Sequence, residues 1–150
     1  MNIQKVKQGA KITYFNGIYT IILGFFFIFS IDYNMKINFN SIDLLWGFFS
    51  KFNPEITQIF SLFSIMIGIL LISMGIMIIY LSDFIIKRKD KMTWVILFLF
   101  GITNWVGLLI ISIVLKNYIL IIVTFIGWLT FIFGMLLPIK YYLEKSYREY

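Results

Sequence analysis

Four long stretches of the chain carry no charged residue, and they organise the rest of the sequence. They cover 12–31, 56–81, 94–115 and 118–139, and all the Asp, Glu, Lys and Arg residues fall in the segments between and beyond them. A helix needs roughly twenty mainly apolar residues to cross about 30 Å of hydrocarbon, so each stretch predicts one membrane span. Insertion then avoids the roughly 2.5–3.5 kcal/mol that a central ion costs on the translocon scale. Only Lys116 and Asn117 separate the third and fourth spans, which predicts a tight helical hairpin.

Small residues inside the spans predict how the helices meet. Eight of the ten glycines lie there, two to a helix: Gly17 and Gly24, Gly68 and Gly75, Gly101 and Gly107, Gly127 and Gly134. Three of these pairs are seven residues apart. That repeat returns to one helix face with a small left-handed drift and suits close crossing at shallow angles. In the second span Ser61 and Ser82 extend the heptad of Gly68 and Gly75, and in the fourth Thr124, Gly127, Thr130 and Gly134 share a face. The expectation is an all-α integral membrane fold: four transmembrane helices in a left-handed antiparallel bundle, forming a single domain over 1–150.

The longest connecting segment, 32–55, is not uniformly polar. Ser41 is placed to cap a helix over 42–52, in which Ile42, Leu45, Trp46, Phe49 and Phe52 recur at three- and four-residue steps. This predicts a short interfacial helix with Trp46, Phe49 and Phe52 turned to lipid or, alternatively, to a partner protein. The tail 140–150 reads as a helical continuation.

Composition narrows the class. The chain is 61% hydrophobic and 13% charged, against roughly 45–50% and about 25% in soluble domains, so a water-soluble globule is excluded. Histidine and cysteine are both absent. The commonest metal ligand, the usual neutral-pH proton shuttle, the thiolate nucleophile and any disulfide go with them. No catalytic residue, cofactor or metal is therefore expected, and the chain reads as a non-enzyme. No span holds a carboxylate, the usual carrier in ion-coupled transport.

The net charge of +6 is distributed by topology. Lys5, Lys7, Lys11, Lys87, Arg88, Lys89, Lys91, Lys140, Lys145 and Arg148 fall on one side of the predicted membrane, and Lys36, Lys51 and Lys116 on the other. The positive-inside rule then puts both termini and the 83–92 segment in the cytoplasm, with 32–55 and the Lys116 turn outside, as for a protein of the plasma membrane. Bases spread over three short segments do not form a nucleic-acid groove. The cluster Lys87, Arg88, Lys89 and Lys91 is placed to contact anionic lipid.

Asn104 stands out among the polar residues of the spans. It falls about eleven residues into the third span, roughly 16 Å along it at 1.5 Å per residue, and so near the bilayer midplane. An amide there needs a partner, for which Thr20, Ser64, Ser73 and Thr130 lie at similar depth. Asn16 is placed nearer the surface and is assigned no special role. Two functions fit. In one, the chain is a tetraspan scaffold or accessory subunit that packs small-residue faces against another membrane protein. In the other, it is a homo-oligomeric small channel, holin-like pore or facilitator with Asn104 at its midplane.

Overall fold

The computed structural model describes residues 2–40 and 45–148. Among them are seven helices: α1 (Asn2–Phe29), α2 (Ile31–Asn40), α3 (Trp46–Phe52), α4 (Pro54–Arg88), α5 (Lys91–Val114), α6 (Tyr118–Leu136) and α7 (Ile139–Arg148). Four of these, α1, α4, α5 and α6, are long and apolar enough to cross a membrane. The protein is a small multi-pass α-helical membrane protein.

The long helices pack in the order α4, α1, α6, α5, each antiparallel to its neighbours, and the α4–α5 contact that closes the ring is the thinnest. One end of the bundle carries the amino terminus, the α4–α5 turn and α7 (the terminal end). The other carries α2, α3 and the α5–α6 turn (the loop end).

Helix bounds differ from the predicted spans wherever backbone hydrogen bonding outlasts the apolar run. Helix α1 already includes Lys5, Lys7 and Lys11. Helix α4 has 35 residues, about 52 Å at 1.5 Å per residue and well beyond the hydrocarbon thickness. Most of the expected 83–92 loop is therefore helical, with Ile85 buried and Asp83 paired to Lys87 at 2.6 Å. Only Lys89 and Asp90 join α4 to α5.

Both tight turns use the same device. Lys89 (φ 51°) and Lys116 (φ 52°) take the left-handed conformation that ends a helix. The next residue in each case caps the following helix. The Asp90 carboxylate accepts from the Thr93 amide and hydroxyl, both at 2.7 Å, and Asn117 Oδ1 accepts from the Leu120 amide at 3.1 Å. The hairpin expected at Lys116 and Asn117 is formed in this way.

The 32–55 segment departs most from expectation. Helix α2 fills its first part, because the backbone ladder continues through Ser30: Ser30 N–H donates to Phe26 O and Asn34 N–H to Ser30 O. The proposed Ser41 cap and residues 42–44 lie outside the described residues, and α3 begins at Trp46. Its aromatic residues divide between two directions. Trp46 is buried and Phe49 half-buried, packed on Phe39 of α2 at centroid distances of 5.1 and 5.0 Å, while Phe48 and Phe52 are exposed. The face of Trp46 and Phe49 is thus turned onto the protein, not outward as the periodicity suggested.

Candidate functional site

The α1–α4 seam uses the second-span glycines within the chain. A Cβ on Gly24 would lie 2.7 Å from Gly68 O, and one on Gly17 2.9 Å from Gly75 O, so the two helices touch backbone to backbone along a heptad on each. Ser64 Oγ donates to Phe27 O at 3.2 Å, and Ser82 Oγ donates to Thr13 Oγ1 at 2.9 Å, so both ends of the seam are tied. Ser61 is half-buried and bonds back to Thr57 O.

The α5 and α6 glycines receive rings. Phe131 occupies the space a side chain on Gly101 would need, and Trp105 that of Gly127. Gly134 meets the backbone of Gly9 and the Thr13 side chain. Gly107 alone among the predicted packing glycines faces open space.

At the centre of the bundle sits Asn16, 2% exposed. Its Nδ2 donates to Gly127 O and Thr130 Oγ1, each at 2.8 Å, and its Oδ1 accepts from Trp105 Nε1 at 3.1 Å. One amide therefore ties α1, α5 and α6 and satisfies the only polar atom of a fully buried tryptophan. Sequence reasoning missed this residue by reading it as near-surface, because the first span was counted from 12 while α1 starts at Asn2. A signal was present: Gly9, Thr13, Asn16 and Thr20 recur at steps of four, three and four, a polar stripe on an otherwise apolar helix.

Asn104 is used differently. Its Nδ2 donates to Phe100 O on its own helix at 2.7 Å, and none of Thr20, Ser64, Ser73 or Thr130 reaches it. It lies half-buried in a groove of about 280 Å³ between α4 and α5. Leu70, Leu71 and Met74 form one wall, and Thr103, Gly107 and Leu108 the other. This groove is the thin fourth contact of the ring, left open by the absence of a side chain at Gly107.

The predicted lipid-contact cluster lies at the terminal end. Lys87 is engaged by Asp83, Arg88 stands 4.8 Å from the Phe84 ring centroid, Lys89 forms the left-handed cap, and Lys91 opens α5. Beside it Tyr142 of α7 is buried and stacked on Trp94 at 5.1 Å. Burial, and then the neighbouring Tyr141 and Asp90, push the Tyr142 phenol well above its ordinary value. Neither Trp94 Nε1 nor Tyr142 Oη has a hydrogen-bond partner among the described residues.

No group of three or more metal-ligating side chains occurs among the described residues. Comparison with known proteins returns no match to a family model, a curated protein or a solved structure. The functional reading therefore rests on the chain's own geometry.

Proposed function

We propose that this multi-pass protein is a non-enzymatic tetraspan accessory subunit, and that its α4–α5 groove receives a transmembrane helix of a membrane-protein partner. The observation that carries this reading is the contrast between filled and open small-residue contacts. Gly17, Gly24, Gly68, Gly75, Gly101, Gly127 and Gly134 are all covered within the chain, whereas Gly107 is open beside Thr103 and Asn104. Small residues let a helix approach closely, and side-chain amides and hydroxyls supply interhelical hydrogen bonds in lipid.

In this reading the helices cross with the left-handed geometry their heptads favour, and both termini face the cytoplasm across the plasma membrane, following the distribution of Lys and Arg. The exposed Phe48 and Phe52 of α3 rest in the outer interface. The Lys87 to Lys91 turn meets anionic headgroups.

The homo-oligomeric pore or facilitator is the second reading. It draws on the same groove, since Thr103 and Asn104 on an outward face would line a path shared between copies. Within one copy, the buried hydroxyls of Thr13, Thr20, Ser64, Ser82, Ser112 and Thr124 are bonded to helix carbonyls or to each other.

Native mass spectrometry of the protein in nanodiscs separates the two. A different membrane protein retained in fixed ratio, and released by Asn104→Leu, supports the accessory reading. A homo-oligomer alone, with solute flux altered by the same substitution, replaces it with the pore.

A further inference from the structure

A second opening lies at the loop end, between α1 and α6. These helices touch from Gly9 and Gly134, past Asn16 and Gly127, as far as the Tyr19 hydroxyl, which donates to Val123 O at 2.9 Å. Beyond that bond, bulky side chains replace small ones: Ile22, Leu23 and Phe26 on α1 face Ile119 and Leu120 on α6. The helices part into a wedge of about 300 Å³, at the lower end of the roughly 300–1,000 Å³ typical of ligand sites. Helix α2 roofs it, held down where Asn117 Nδ2 donates to Asn38 Oδ1 at 2.6 Å.

The wedge walls are mainly apolar, and its rim residues Ile22, Phe26 and Ile119 are exposed on the membrane-facing surface. Through Ile37, Asn117 and Ile119 it continues into a more polar cavity lined by Asn40, Lys116 and Tyr118. Among the described residues, no acidic side chain lines either space. Asp32 of α2 lines a different cavity, with Phe29 and Ser61. Lys116 lines the more polar cavity from a left-handed backbone, a conformation that normally selects Gly or Asn.

We propose that this wedge binds one anionic phospholipid, with an acyl chain between α1 and α6 and the phosphate at Lys116. An apolar slot open to hydrocarbon and ending at Lys116, the one charged residue among its described lining, has the complementarity of an anionic amphiphile. A free phosphate would leave the slot unused, and a zwitterionic lipid would bring its own cation beside Lys116. The site is at the opposite end of the bundle from the Lys87 to Lys91 turn. It depends only on membrane insertion, so it stands or falls separately from the α4–α5 docking face.

The test is native mass spectrometry of the full chain released from nanodiscs of dioleoyl phosphatidylcholine with increasing dioleoyl phosphatidylglycerol. The expected result is one phosphatidylglycerol per chain, retained about fivefold over phosphatidylcholine, the effect of one cation near a headgroup. Lys116→Asn, whose side chain tolerates the left-handed turn, abolishes the preference, and Lys116→Gly serves as a second variant of the same kind. Ile119→Trp, at the exposed rim, lowers retention of both lipids. Excess inorganic phosphate leaves the bound lipid in place. Equal retention of the two lipids, a preference that survives both Lys116 substitutions, or one that disappears with Lys87→Gln and Arg88→Gln instead overturns the assignment. So does displacement by phosphate.

Discussion

Asn16 and Asn104 are the same amide set into apolar helices of one bundle, and the structure employs them in opposite ways. Asn16 is enclosed, spends both Nδ2 hydrogens and its oxygen on two other helices, and leaves Trp105 satisfied. Asn104 bonds to its own helix and stands at the edge of a groove. Their surroundings differ in the same sense: Gly127 beside Asn16 is filled by Trp105, and Gly107 beside Asn104 is filled by nothing. Polarity in a membrane helix thus does not itself mark function. What separates the two sites is whether the amide's hydrogen-bonding capacity is already consumed by neighbouring helices.

The sharpest way to break this contrast is to exchange glycines. Gly75→Leu forces a branched side chain against the Gly17 carbonyl and the Ile21 backbone, and overpacking of this kind is expected to cost about 3 kcal/mol. Gly107→Leu projects into open space and should not destabilise the fold while it blocks the groove. Unfolding in mixed micelles with increasing denaturing detergent measures both.

The two amides give the next comparison. Asn16→Leu leaves Trp105 Nε1 without its partner and takes from Gly127 O one of its two side-chain donors, an expected loss of about 1–3 kcal/mol. Asn104→Leu should shift stability by less than about 0.5 kcal/mol, as at exposed sites. Equal losses would erase the distinction between the sites.

Gly107→Ala is expected to stabilise the isolated protein by up to about 1 kcal/mol, since a methyl group there meets no atom and improves helix propensity. Thermal unfolding of the purified chain detects the gain. If the variant is instead destabilised, α4 and α5 are closer in the membrane than the groove implies.

The smallest effect concerns the terminal end, where Tyr142 packs α7 onto Trp94. Its phenol is raised in the folded chain, so its contribution is fully present below the unfolded value near 10 and is lost as pH climbs toward the higher folded value. Titration of tryptophan fluorescence above about pH 10 should show α7 release in the parent, and Tyr142→Phe should remove that step at little cost, because Tyr142 Oη has no partner to lose.

The fold was legible where one property decides it. Charge-free runs of sufficient length specify the four spans, and the heptads of Gly17 and Gly24 with Gly68 and Gly75 lie along the seam where α1 and α4 meet. Lys116 and Asn117 announced their hairpin. Helix ends were less legible, because α1 and α4 continue into polar sequence where apolar counting stops. Helix α2 was hidden by asparagines of weak helix propensity, whose side chains bond outside their own helix, as Asn38 does with Asn117. The direction of Trp46 and Phe49 depended on Phe39, which lies on a helix that the pattern did not announce. For the polar residues, depth along a span was the available guide, and it selected Asn104 over Asn16. Enclosure by neighbouring helices decides between them, and that is a property of the packed bundle.

The central claim is that the α4–α5 groove is a face for association while the glycine seams serve the fold. Its most direct test compares Gly107→Leu with Ile122→Leu, a conservative change at an exposed α6 position, in protein purified with its associated components. The account predicts that neither variant is destabilised, that Gly107→Leu loses the associated protein, and that Ile122→Leu retains it. Association that survives Gly107→Leu in a folded chain would contradict the account.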